Sequence, residues 1–262
     1  MTVEANFIKF LGTGGARFVV SRQLRSSGGT WCFFKGKNII IDPGPGTLVR
    51  CFSSKPKLNP EQLDAVILTH RHLDHSSDAN VLIEAMTGGR ARRRGVVYVP
   101  SDAVNSKEPV VFKYLQNSVE RVEIFKEDGS YSLGEFNFIT PVIHNHSVET
   151  YGLKFFLDKG SVSFITDTAF FPELIDYYKS EVIIINVVLF QHPGHEHIKH
   201  LDLQNCRELI TGIKPKAAIL THFGLTMLHN KPWKLAEELT GETGVEVKAA
   251  YDGMTFFPDD YF

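Results

Sequence analysis

Ala65-Val66-Ile67-Leu68-Thr69-His70-Arg71-His72-Leu73-Asp74-His75 decides how this chain folds and what it carries. The opening apolar, branched run suits a strand buried on both faces. His70 and His72 then stand two apart in an extended segment, so their rings point the same way and can grip one ion. A turn brings Asp74 and His75 round toward a second ion. A nitrogen and oxygen ligand set suits zinc, and also manganese or iron. Two ions about 3.5–4 Å apart need a bridging anion, a role open to a carboxylate such as Asp167.

The pattern of strand followed by polar residue recurs along the chain. Asp42 ends Asn38–Ile41, Asp167 ends Ser161–Thr166, and His222 ends the run that starts at Ala217. His146 comes shortly after a strand expected over 136–143. Open α/β sheets build their sites at such strand ends, because strands fix position while loops supply chemistry. The eleven His residues bunch accordingly, with none before 70 and none between 76 and 143. Further strands are expected over 6–11, 30–34, 95–99, 153–157, 182–185 and 245–249. Helices are expected from Ser76 or Ser77 to Met86, with Val81, Leu82 and Ala85 facing inward, and over 109–118, 173–179, 203–212 and 232–240.

His-x-His-x-Asp-His after an apolar strand resembles the signature of the metallo-β-lactamase-fold hydrolases, and the resemblance extends over nearly the whole chain. It implies an α/β fold, a four-layer αβ/βα sandwich formed by residues 1–262 as a single domain, with two divalent metal ions in a cleft at one edge. By that resemblance His70, His72 and His146 hold one ion, Asp74, His75 and His222 hold the other, and Asp167 bridges them. Asp42, in the turn Ile40-Ile41-Asp42-Pro43-Gly44, would stand behind the ligands and orient one His through its ring N–H. His144 competes with His146. The stretch from His146 to Gly152 is similar to the His-to-Gly spacing of the tRNase Z-like branch, which favours His146.

The opening Phe10-Leu11-Gly12-Thr13-Gly14-Gly15-Ala16-Arg17, with Arg22 and Ser26-Ser27, is similar to that of tRNase Z and of the phosphoribosyl cyclic phosphate phosphodiesterases. It is not a dinucleotide loop, because position 17 is Arg and no βαβ unit follows. Two departures stand out. About twenty residues separate His146 from Asp167, enough for two strands and a turn but not for the long RNA-gripping arm of tRNase Z. Asn186-Val187-Val188 stands where that family has Glu-Ala-Thr, while His200 keeps the place of its catalytic His without the carboxylate partner. Asp74 and His200 are therefore the candidate catalytic residues, His200 as donor of a proton to the leaving oxygen. A hydroxide formed between the ions would attack phosphorus or a carbonyl carbon.

The implied activity is a dinuclear-metal phosphodiesterase acting on a small-molecule, cyclic or nucleotide phosphodiester or a nucleic-acid end. A thioester or lactone hydrolase of glyoxalase II or lactonase type would use the same ligands. A third alternative is an RNA-binding scaffold with structural metals. In the run from His192 to His197 the expectation is a substrate-facing loop, with a plain solvated loop and a metal site as its rivals. Arg90-Ala91-Arg92-Arg93-Arg94 is the one dense basic cluster; a charge run is usually a solvated face, and on the functional reading Arg92, Arg93 and Arg94 are candidates for gripping substrate phosphate or RNA. Over the whole chain charge balances: 28 Lys plus Arg against 30 Asp plus Glu give −2, which excludes a generally basic nucleic-acid coat. Three widely spaced Cys argue against a disulfide scaffold. With no membrane-length apolar run and an acid among the first six residues, a cytoplasmic location without membrane partners is expected, homo-oligomers being left open.

Overall fold

A computed structural model describes residues 5–195 and 197–262. Residues 1–4, which entered the argument against a leader peptide, and Glu196 of the His-rich run lie outside the described residues. Six strands come first: β1 (Phe7–Phe10), β2 (Thr30–Phe34), β3 (Lys37–Ile41), β4 (Ala65–Ile67), β5 (Val96–Val99) and β6 (Arg121–Ile124). Seven more follow: β7 (Gly129–Leu133), β8 (Phe136–Thr140), β9 (Leu153–Phe156), β10 (Ser161–Ile165), β11 (Val182–Asn186), β12 (Ala217–Thr221) and β13 (Glu246–Ala249). A last short strand, β14 (Thr255–Phe256), returns to pair with β1.

The strands form two seven-stranded sheets, ordered β14-β1-β2-β3-β4-β5-β6 and β13-β12-β11-β10-β9-β8-β7. Each sheet is antiparallel over one half and parallel over the other. β3 through β6 run parallel in the first sheet, and β10 through β13 in the second. Alternation along the strands explains the layering, since successive side chains face opposite sides. Phe34, Phe136, Phe138 and Phe155 meet between the sheets. Leu82, Ile83 and Met86 of the helix Ala79–Met86 cover the outer face of the first sheet. Leu209 and Leu239, from helices Leu203–Ile213 and Pro232–Thr243, cover the second. Burying each such side chain stabilises the fold by about 1.5–3 kcal/mol. The result is the expected four-layer αβ/βα sandwich.

Three local expectations need correction. The segment expected as one helix from Ser76 or Ser77 is two, Leu73–Ser76 and Ala79–Met86. Ser76 does not cap the second one, because its hydroxyl donates back to the carbonyls of Arg71 and His72. Val81 is 43% exposed, and Ala79, Leu82, Ile83 and Met86 form the inward face instead. Only Lys113–Gln116 of the span 109–118 is helical. The Asn80 amide takes the carbonyl of Val110 and the N–H of Phe112, bonds a helix there would have needed for itself. A helix over Ala16–Ser21 and the strands β6 and β7 were not foreseen.

The C-terminal edges of the parallel strands lie together at one end of the sandwich. The loop after β1 is tied there by Asp252, whose carboxylate accepts from the Thr13 N–H at 2.9 Å, the Thr13 hydroxyl at 2.8 Å and the Ser26 N–H at 2.8 Å. Among the described residues no helix is long and apolar enough to cross a membrane.

Candidate metal centre

Asp42, just past β3, sits behind the site. Its carboxylate accepts from the Thr69 N–H at 2.7 Å and the Thr69 hydroxyl at 2.6 Å. It also accepts from His75 Nδ1 at 2.9 Å. That bond turns His75 Nε2 toward Asp74 Oδ2 (3.8 Å) and Asp167 Oδ2 (3.6 Å). A carboxylate behind an imidazole fixes both the ring's orientation and the nitrogen left to face inward.

His70, fully buried, follows β4 by three residues. Its ring nitrogen lies with those of His72 and His146 in one group, the atoms all within 4.8 Å of one another. His146 donates from Nδ1 to the Lys199 carbonyl at 2.9 Å, which leaves Nε2 facing His72 Nδ1 at 3.2 Å. A second group within the same limit joins Asp74, His75 and His222. His222 Nε2 is 3.6 Å from Asp74 Oδ2, and its Nδ1 is 3.5 Å from Asp167 Oδ1. Asp167, 3% exposed, lies between the two groups, with Oδ2 also 3.9 Å from His70 Nε2.

The glycine-rich loop presses on this second group. A Cβ on Gly15 would fall 2.1 Å from His222 Nδ1, so only glycine lets the backbone pass. The next N–H, of Ala16, donates to Asp74 Oδ2 at 3.2 Å. Ala16, Asp42 and His222 all take left-handed backbone, at φ 60°, 51° and 59°. Such conformations cost non-glycine residues on the order of 1–3 kcal/mol, and here three gather at one site.

The competing histidines part company. His144 is 4% exposed, bonds the Tyr178 hydroxyl through Nε2 at 2.7 Å and donates from Nδ1 to the backbone carbonyl of Asp167 at 3.3 Å, so both its nitrogens are spent and it packs behind Asp167 rather than in the groups. Burial pushes it down to about 4, and it stays neutral. His200 is brought in: its Nδ1 stands 3.5 Å from Asp167 Oδ2, and it forms a third group with His146 and Asp167. His192 is held within its own loop, donating from Nε2 to the Ile198 carbonyl at 2.9 Å and accepting from the Gly194 N–H at 3.1 Å. The rings of His195 and His197 stack at 5.5 Å and are exposed.

The structure does not bring Arg92, Arg93 and Arg94 to the cleft. Ala65 pairs with Val96, so residues 90–95 lie beside the start of β4, whereas His70 lies past its end. Arg93 donates from Nε to the Val119 carbonyl at 2.9 Å, and Arg94 bonds the Glu61 carbonyl. That placement puts the cluster at the opposite end of β4 from His70.

Sequence reasoning passed over two contributors. Lys199 acts through its carbonyl, which leaves no residue-type signal, whereas Gly15 lies among the glycines after the first strand that signal a close backbone approach to the site. Asn186 was noticed only as a departure from a motif, yet its Nδ2 donates to Asp167 Oδ1 at 2.9 Å.

Charge at the site favours a cation. Burial, reinforced by neighbouring rings, lowers His70, His72 and His146, which keeps them neutral with lone pairs available. Burial alone would raise Asp74 and Asp167, but His75 and His222 hold both carboxyls well below their usual range. Burial would lower His75, but Asp74, Asp42 and Asp167 raise it well above an ordinary imidazole. Those three carboxylates call for positive charge. Among the described residues, His70 Nε2, His75 Nε2, His200 Nδ1 and both ring nitrogens of His222 are buried without a hydrogen-bond partner. Each such atom costs about 1–3 kcal/mol unless something binds it. The donor set fits a pair of divalent cations, and nothing in the geometry singles out one metal.

Residues 37–223 match the β-lactamase superfamily domain, and the chain belongs to that superfamily. It is 31% identical over 256 residues to an uncharacterised protein of Methanocaldococcus jannaschii, spanning 94% of this chain and 93% of that one. It is 32% identical over 121 residues to a ribonuclease Z of Methanopyrus kandleri, spanning 45% of this chain and 42% of the other. Among solved structures it superposes on the metallo-β-lactamase-fold protein YhfI of Bacillus subtilis with a TM-score of 0.78 at 18% identity, covering 97% and 99% of the two chains. A diphosphatase of the PhnP family gives 0.68 at 22% identity, covering 97% and 98%.

Proposed function

We propose that this member of the β-lactamase superfamily is a dinuclear-metal phosphodiesterase acting on a small or cyclic phosphodiester or on a nucleic-acid end. One observation carries the proposal: buried, unpartnered ring nitrogens converge with Asp74 on Asp167. His70, His72 and His146 would hold one ion, Asp74, His75 and His222 the other, with Asp167 between. When bound, the ions supply Lewis acidity toward phosphoryl oxygens and a water acidic enough to act near neutral pH.

The protein's own groups do the rest. Asp42 and the Lys199 carbonyl hold His75 and His146 so that each presents Nε2 inward. His200 turns Nδ1 to Asp167, and the ring is 22% exposed, so its other edge reaches the cleft. From there it can hand a proton to the leaving oxygen. The nearest carboxylate is that of Asp167, whose Oδ2 stands 3.5 Å from Nδ1 without a hydrogen bond. Phosphodiester chemistry is favoured over thioester chemistry by the opening Gly12–Arg17 segment and by the ribonuclease Z relative. A small substrate is favoured because β9, β10 and their turn take up most of the span from His146 to Asp167, leaving no arm.

The test is turnover of bis(p-nitrophenyl) phosphate by purified protein loaded with Zn or Mn, beside S-lactoylglutathione and a homoserine lactone. Turnover of the phosphodiester, lost in His70→Ala, is expected. Hydrolysis of the thioester or lactone alone would replace the proposal with the other hydrolase. Phosphodiester turnover no higher than in His70→Ala would end it.

A further inference from the structure

The two sheets solve one local problem twice. In each, an aspartate follows the first strand of the parallel half, and the next parallel strand supplies a partner that holds it. In the first sheet β3 pairs with β4, Ile41 opposite Ile67, and Thr69 then bonds Asp42. In the second β10 pairs with β11, Ile165 opposite Ile185, and Asn186 bonds Asp167. Asn186 also pairs with Thr221 of β12, next to His222. It lies between the strand that delivers Asp167 and the strand that delivers His222, and it lines the same cavity as Asp74, His75 and His222.

The two oxygens of Asp167 have different surroundings. Oδ1 takes the Asn186 amide at 2.9 Å, with His222 Nδ1 at 3.5 Å. Oδ2 faces His200, His75 and His70 at 3.5, 3.6 and 3.9 Å. Among the described residues no other hydrogen bond reaches this carboxylate. Without it the group could rotate about its last bond, exchanging the two oxygens. An amide also suits the position chemically. It donates without charge, so the negative charge of Asp167 is left for cations, whereas Lys would neutralise it and Glu would repel it.

We propose that Asn186 is a positioning residue that locks the Asp167 carboxylate, fixing Oδ2 toward the two ion positions. This rests on the metal-centre assignment above. It assigns a task to the position where the resembling motif has an acid: here that position serves Asp167.

Asn186→Leu keeps the shape and removes the donor, and Asn186→Ala removes it with less steric demand should the first variant fold poorly. Both are compared with the unmodified protein in cobalt binding against a chromophoric chelator, in the visible spectrum of the cobalt form, and in melting of the metal-free protein. One of the two cobalt ions should be held about ten- to a hundredfold more weakly. The cobalt bands should change shape, while metal-free melting stays close to the original. Unchanged affinity and spectrum in a folded variant would overturn the proposal. So would weaker binding with an unaltered spectrum and a matching drop in metal-free melting, the mark of a merely structural role. If the unmodified protein takes up no cobalt, the metal-centre assignment itself falls.

Discussion

Two charged clusters sit at opposite ends of β4 and β5, and they invert each other. At the start of the strands, Arg93 and Arg94 spend their guanidinium donors on the carbonyls of Val119 and Glu61. At their far end, His70, His75, His200 and His222 bury ring nitrogens that bond nothing. Both clusters are conspicuous in the sequence. Only the second leaves its polar capacity unspent, and unspent capacity inside a fold is what points to a ligand.

The contrast breaks most sharply at His70. Replacing it with Ala removes a fully buried ring from the first ligand group, and kcat/KM for a phosphodiester should fall at least about a thousandfold, roughly 4 kcal/mol in the barrier. Metal analysis and steady-state kinetics check this together. Gly15→Ala should come next. Its new methyl group collides with the His222 ring, so activity should drop about ten- to a hundredfold, and the metal-free protein should lose some stability in a urea titration. At the other end, Arg93→Met should cost about 1 kcal/mol of stability and leave kcat/KM within about twofold. A large loss of activity there would erase the distinction between the two ends. The smallest expected effect is none: Cys51 should not react with a thiol reagent at pH 8 until the protein unfolds. Burial, with Asp78 adding to it, pushes that thiol up to about 12, so almost no thiolate is present at pH 8. Burial likewise raises Cys32 and Cys206, and a reaction count under native conditions reads all three.

Much of the layering was legible because buried parallel strands read as unbroken apolar runs, as in Ala65–Leu68 and Val182–Ile185. β6 and β7 escaped although polar and apolar residues alternate in them, because each is a short edge strand with little buried apolar surface. The short helix Ala16–Ser21 escaped because it follows glycines and has no side-chain cap. The seven residues expected around the ions all converge, since each is fixed by a strand end or the turn beyond it. The phosphate-gripping reading of Arg92, Arg93 and Arg94 could not be weighed against that of a solvated face, because composition carries no information about which end of a strand a residue occupies. His144 and His146 are told apart in space by partners distant in sequence, Tyr178 and the Asp167 carbonyl for the first and the Lys199 carbonyl for the second.

The pairing of β14 with β1 bears on the order in which the molecule is completed. A ribosome makes Thr13 and Ser26 long before Asp252, yet their loop is tied by that carboxylate. Until residues 252–256 emerge, the glycine segment that crowds His222 lacks its anchor. Both sheets can collapse earlier, but the pocket reaches its working shape only once residues 252–256 have been made. A nascent chain caught just short of residue 252 would therefore be folded in bulk and unfinished at the one place where it works.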